Sequence, residues 1–232
     1  MAALDRRAVL AFCMAGAAVA IAGCKRNSAT GTTLPLASTN PTAMFSDRYG
    51  AIADKFPIAA VDVSQINSTF LRREVAYQSP YPAGTVVIDP AAHFLYLIQP
   101  GGTAMRYGVG VGKEGFGWSG VATINSKQEW PDWYPPKEMI QRRPDIQAQL
   151  TKLQGGDGVP GGLSNPLGAR AMYLWQDGKD TLYRIHGTLE PETIGTNVSS
   201  GCIRMINQDA IDLYGRVGVG TKVVVLGSKP AS

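Results

Sequence analysis

"GTVVIDPAAHFLYLIQPGG" (residues 84–102) decides the fold class. Val86 to Ile88 are β-branched, Asp89-Pro90 interrupts them, and Phe94 to Ile98 resumes an apolar run that ends at Gly101-Gly102. The stretch reads strand, turn, strand. The same grammar recurs outward from it. "AMRYGVGVG" (104–112) and "GVATINSKQEW" (120–130) each predict a strand. "RAMYLWQDGKDTLYRIHG" (170–187) predicts two, with Asp177-Gly178 as the turn. "GTKVVVLG" (220–227) predicts the last. Short apolar runs punctuated by glycine point to an all-β sandwich or barrel. Two segments break the pattern. "WPDWYPPKEMIQRRPDIQAQL" (130–150) is aromatic and Pro-rich, then mildly helical, and reads as an irregular lid. "NQDAIDLYGRVGVG" (207–220) reads as a short helix, with Asn207 as N-cap and Gly218 near its end.

The whole chain has 232 residues, 44% hydrophobic and 17% charged, which suits one globular domain plus extra sequence. Net charge is +4, and lysines and arginines are scattered, so no nucleic-acid-binding stripe is present. The 27 glycines and 15 prolines disfavour helical repeats. The first residues carry Arg6-Arg7 and an apolar run from Ala8 to Ala22, shorter than the roughly 20 residues of a membrane span. They predict a signal peptide over 1–23, by the Sec route or, given the paired arginines, the twin-arginine route. The run ends in "IAGC", similar to the lipobox of bacterial lipoproteins, with Cys24 as the lipidated residue. Residues 24–78, rich in Ser, Thr, Asn and Pro, are expected to be a flexible tether. In it, "FLRREVAY" (70–77) is a candidate for docking on the domain. The domain itself is expected over 79–228.

Three cysteines and two histidines limit the chemistry. Cys13 leaves with the signal and Cys24 takes lipid, so Cys202 is the remaining thiol of an exported protein. It sits in "NVSSGCIRM" (197–205) rather than in an apolar run. His186 ends the strand "LYRIHG", and Gly187 after it lets the backbone bend or approach closely. A nearby imidazole can take the thiol proton, with its second nitrogen held by a backbone carbonyl. Gly201 permits a tight turn that aims N–H groups at an oxyanion. Arg204 can clamp a carboxylate, and Ser199 and Ser200 can support the turn or bond substrate. On these residues alone Cys202 is either the nucleophile of a Cys/His acyl-transfer site or a passive thiol. His93 reads as structural. "GVGVGKEG" (108–115) lacks the Gly-Lys-Ser/Thr end of a phosphate loop. Two distant histidines and one thiol call for no metal, and no cofactor is implied.

The order "YRIHGT", "IG", "SSGCIRM", "DLY", "VGT" and a final strand resembles the L,D-transpeptidase catalytic (YkuD) family over about residues 82–227, and "NPLGARAMYL" and "GVGVGKEGF" add to the likeness. The resemblance implies a β-sandwich and a cysteine acyltransferase acting on peptidoglycan stem peptides. Cys202 would attack between the third residue, commonly diaminopimelate, and D-alanine. His186 would be the base, the Gly187 carbonyl its orienting group, and the N–H groups of Gly201 and Cys202 the oxyanion hole. Arg204 would contact substrate. Many members read Ser-His-Gly-Cys; Ser200 stands at that histidine here. The acceptor is left open: a stem peptide, giving a 3→3 cross-link; an envelope-protein amine; or water, making a hydrolase. A peptidoglycan-binding lipoprotein without catalysis is a further alternative. The expected place is the periplasm, membrane-anchored through lipid. Lys25 after Cys24, where aspartate favours the inner membrane in enterobacterial lipoproteins, leans toward the outer membrane.

Overall fold

The computed structural model describes residues 45, 47–112, 118–199 and 201–227. The expected signal peptide, Cys24 and Ser200 lie outside these residues. The fold is mostly β. In chain order the strands are β1 (Arg73–Ala76), β2 (Val86–Asp89), β3 (Phe94–Gln99), β4 (Thr103–Gly108), β5 (Val111–Gly112) and β6 (Gly120–Glu129). They continue with β7 (Thr151–Leu153), β8 (Gly156–Gly158), β9 (Arg170–Gln176), β10 (Lys179–Thr188), β11 (Asn197–Ser199), β12 (Ile203–Ile206) and β13 (Lys222–Val225). The α-helices are α1 (Lys137–Arg142), α2 (Pro144–Gln147) and α3 (Asn207–Arg216).

Among the described residues, nine strands form one sheet in the order β1-β4-β3-β2-β13-β6-β9-β10-β12, while β11 pairs with β5 and β7 with β8. Local chemistry sets the hairpins. Between β2 and β3, Asp89 accepts the Ala92 N–H at 3.0 Å and fixes the turn. Between β9 and β10, Asp177 and Gly178 have φ of 50° and 75°, the left-handed pair whose twist matches the flanking strands. Ile88, Leu95 and Tyr107 from one end of the strand order share a buried cluster with Met172, Ile185 and Met205 from the other. Strands so far apart in order meet only if the sheet curls over its own core. Ala210 and Leu213 of α3 complete that cluster.

The folded unit begins earlier than residue 79. Tyr49, Ile66 and Leu71 are buried with Ile194 and Ile206. β1, within the "FLRREVAY" stretch, pairs antiparallel with β4 as an edge strand. The later part of the expected tether is therefore packed from Tyr49 onward. Gln208 of α3 holds it further, donating to the carbonyls of Gly50 at 3.1 Å and Ala59 at 2.9 Å.

The same interface buries a carboxyl group. Asp209 has no exposure; Tyr49 donates its hydroxyl to it at 3.1 Å, and Arg72 Nε stands 3.6 Å away. Burial pushes this carboxyl up to about 7, against the pull of Arg72 and Tyr49. An unfolded aspartate titrates near 3.9, so between about pH 4 and pH 7 the folded chain holds a proton that the unfolded chain has lost. The contribution of Asp209 to stability therefore falls as pH rises through that window and is level above it. Asp209→Asn is expected to remove this slope. Urea midpoints taken across the window should fall more for the wild type than for the variant; equal changes would contradict the assignment.

Candidate active site

β10 and β12 run parallel, with Ile185 opposite Ile203, His186 opposite Arg204 and Gly187 opposite Met205. Side chains alternate between faces along a strand. Ile185, Ile203 and Met205 enter the core, so His186 and Arg204 take the other face. Cys202 immediately precedes β12. Continuing the register places it beside Arg184, on the face of His186 and offset from it by two residues. β9 and β6 extend this face, because Arg184 pairs with Tyr173 and Tyr173 with Ser126, while His186 pairs with Ala171 and Ala171 with Gln128. Two cross-strand rows result: Ser126, Tyr173, Arg184 and Cys202, then Gln128, Ala171, His186 and Arg204. The Arg184 guanidinium lies 4.5 Å from the Tyr173 ring centre and donates to both Asp180 oxygens, at 2.7 and 2.8 Å.

β12 is held on both edges. Besides β10, Gly110 donates to the Arg204 carbonyl at 2.9 Å and accepts from the Arg204 N–H at 2.8 Å. Gly201 has φ 124°, a conformation that side chains rarely adopt, and a Cβ there would lie 3.3 Å from the Tyr183 ring. Upstream, β11 runs parallel to β5, and His93 Nε2 donates to Asn197 Oδ1 at 2.9 Å. His93 thus supports the loop that leads to Cys202. Ser199 pairs with Gly112 through its backbone. Its side chain, and Ser200, lie outside the described residues.

His186 is 4% exposed and its Nδ1 is 2.6 Å from the Gly187 carbonyl. A carbonyl only accepts, so Nδ1 carries the proton and Nε2 the lone pair. Burial lowers the imidazole to about 4; the Gly187 and Leu167 carbonyls favour the protonated ring, while Arg204 and Arg184 oppose it. Burial also pushes the Cys202 thiol up, against the Arg184 N–H and the same two guanidinium groups. One pair of arginines acts on both groups, as expected of a single site. The thiol donates to the Leu182 carbonyl at 3.9 Å. Leu182 has φ 64° within the register shift between Asp180 and Arg184, which turns that carbonyl toward Cys202. Burial thus favours the neutral form of each group, a thiol at Cys202 and an imidazole at His186. The sequence allowed for a thiolate–imidazolium pair; burial disfavours both of its charges.

Several residues of the site carried no sequence signal. Asn207, expected to cap α3, lies inside it; the cap position is Ile206, with no side-chain cap bond. The amide of Asn207 instead accepts the Ala169 N–H and donates to the Thr188 carbonyl, both at 2.9 Å. It fits because Gly168 and Gly187 lack side chains; a Cβ on Gly187 would collide with Asn207 Oδ1. Asn165 is fully buried and ties the base of the 130–160 segment, donating to the carbonyls of Pro131 at 3.0 Å and Val159 at 2.9 Å and accepting the Leu167 N–H at 2.9 Å. Arg204 Nη1 stands 3.0 Å from Glu190 Oε2. Trp130 is packing rather than lid surface, buried edge-on against Phe56. Gln128, Asp132, Tyr134, Gln154 and Gly155 line an open cavity of about 360 Å³ at the far end of the second row. Among the described residues, no group of three or more His, Cys, Asp or Glu is placed to hold a metal ion.

The YkuD family, the L,D-transpeptidase catalytic domain, matches residues 83–225, more than half of the chain, and the chain belongs to that family. The chain is 30% identical over 207 residues to the probable L,D-transpeptidase ErfK/SrfK of Escherichia coli (strain K12), covering 84% of this chain and 62% of that protein. It is 34% identical over 151 residues to the probable L,D-transpeptidase YcfS of the same organism, covering 63% and 45%. A solved structure from Brucella melitensis, described as a probable carnitine operon oxidoreductase caia, is 50% identical with a TM-score of 0.47, covering 71% of this chain and 99% of that one. The chain spans about three fifths or less of the length of these two curated relatives.

Two outcomes check this geometry. Alkylation of Cys202 by iodoacetamide is expected to show no step near the ordinary imidazole value of about 6.5, and to rise only above the ordinary thiol value of about 8.5. A rate already at plateau in weak acid would contradict the neutral pair. Asn207→Ala strands the Ala169 N–H and the Thr188 carbonyl and is expected to cost about 1–3 kcal/mol in urea denaturation. A change within error of zero would remove Asn207 as the tie between the two strands.

Proposed function

We propose that the chain is a peptidoglycan L,D-transpeptidase that uses Cys202 as nucleophile and His186 as base. The observation that supports this reading is the parallel β10–β12 pairing, which sets His186 opposite Arg204, two residues after Cys202, inside a domain of the YkuD family. His186 Nε2 takes the thiol proton as Sγ bonds to the carbonyl carbon of the third stem residue. The carbonyl oxygen becomes an oxyanion, met by N–H groups at Gly201 and Cys202. The C–N bond to D-alanine then breaks, His186 returns its proton to the leaving amine, and a thioester remains. An acceptor amine attacks that thioester, His186 takes the amine proton, and the thiol is restored. Transfer of the proton during attack suits a pair in which neither group is charged beforehand. Arg204 clamps a donor carboxylate, and the Gly187 carbonyl keeps His186 in the required tautomer.

The proposed acceptor is the amine of another stem peptide or of an envelope protein. The proposed setting is the periplasm. The signal peptide over 1–23 would be removed, Cys24 lipidated, and the residues before Tyr49 would serve as the tether, with the outer membrane favoured by Lys25; the support is the "IAGC" stretch and its charged, apolar lead-in. Among the described residues no helix is long and apolar enough to cross a membrane.

The test is a stem tetrapeptide given to the protein with and without an amine acceptor, read by mass spectrometry. D-Alanine release with a conjugate that requires both Cys202 and the acceptor is expected. Release with a plain tripeptide as sole product would make the protein a hydrolase, and no release would overturn the reading.

A further inference from the structure

We propose that Glu190 is a resident rival of the substrate: its carboxylate occupies Arg204 until the donor's carboxylate displaces it, and it thereby sets selectivity between carboxylate and carboxamide donors. The inference rests on the reading of Arg204 as the donor clamp. Arg204 lies directly opposite His186 and two residues after Cys202, on the face where the donor's reacting carbonyl would sit. Its side chain is 20% exposed, and the contact with Glu190 engages Nη1 with Oε2 at 3.0 Å. A donor carboxylate that takes two guanidinium nitrogens in a fork binds better than this single contact.

Glu190 is built to let go. Its side chain is 60% exposed, and ion pairs of that kind are weak. Its backbone is anchored independently of its carboxylate. The N–H donates to Thr188 Oγ1 at 3.1 Å, and the carbonyl accepts the Thr193 N–H at 3.0 Å and the Thr193 hydroxyl at 2.7 Å. The carboxylate can therefore swing away without moving the loop. Arg143, between α1 and α2, already feels the charge of Glu190 and gives the released carboxylate a second cation to face. The exchange swaps one carboxylate for another, so the field at His186 and Cys202 is preserved and the effect falls on binding. A neutral carboxamide cannot replace Glu190 in this way. It would have to bind beside an intact pair.

The experiment compares D-alanine release from two tetrapeptide donors, with a carboxylate or a carboxamide on the side chain of the third residue. Wild type, Glu190→Gln and Arg204→Gln are measured, with circular dichroism to confirm folding. Glu190→Gln is expected to lower KM for the carboxylate donor about two- to fivefold relative to the carboxamide donor, the scale of an exposed ion pair. Arg204→Gln is expected to raise KM for the carboxylate donor. An equal shift for both donors in Glu190→Gln, no shift, or a higher KM for the carboxylate donor would overturn the rivalry while leaving the clamp standing. An unchanged carboxylate KM in Arg204→Gln would overturn the clamp and the inference together. No release from either donor would overturn the transpeptidase reading itself.

Discussion

Backbone hydrogen bonds hold β12 from both edges, with β10 on one side and Gly110, bonded to the N–H and carbonyl of Arg204, on the other. That double pairing fixes the register of β12. A slip of one residue would turn Ile203 and Met205 out of the core and drive Arg204 into it, which burial of an unpaired charge forbids. The core therefore enforces the site: the face opposite Ile185, Ile203 and Met205 must carry His186, Arg204 and, by continuation, Cys202. Gly201, in its left-handed conformation, brings the chain into this register from the loop that β5 and His93 support. Asn207 ties the end of β10 to the start of β9 through two glycines that make room for it.

Electrostatics follow from the same packing. Burial opposes charge on both the imidazole and the thiol, and Arg184 and Arg204 pull them in opposite senses relative to that cost. The guanidinium groups make protonated His186 less favourable and thiolate Cys202 more so. Each arginine is in turn tempered by a carboxylate, Asp180 for Arg184 and Glu190 for Arg204. Burial thus favours the neutral form of both groups, and the guanidinium groups offset part of that cost only at the thiol.

Much of this was legible in the sequence, because it rests on local patterns. Strand runs, the Asp177-Gly178 turn and the helix after "SSGCIRM" follow from composition over a few residues. His186 and Cys202 stand out because reactive residues are few; Cys202 does lie just before β12, but His186, read as the end of a strand, lies within β10, which runs on to Thr188. The order of short motifs then pointed to the family. What stayed hidden depends on long-range pairing. "FLRREVAY", with Leu71, reads as a docking candidate, but no periodicity announces that Tyr49 and Ile66 also pack on the domain, and their polar neighbours read as tether. Asn207 looked like a cap because its position before a helical run suits one; the glycines at 168 and 187, far away in sequence, decide otherwise. The bulge that turns the Leu182 carbonyl to the thiol and the contact between Glu190 and Arg204 both arise only once β10 and β12 are side by side.

The central claim is that this register makes His186 and Cys202 one acylating unit. Intact-protein mass after incubation with a carbapenem, the β-lactam class expected to react with this family, tests it most directly. The account predicts one covalent adduct on the wild type, none on Cys202→Ala, and a much slower adduct on His186→Ala. An adduct that persists in Cys202→Ala, or a His186→Ala protein acylated at the wild-type rate, would contradict it.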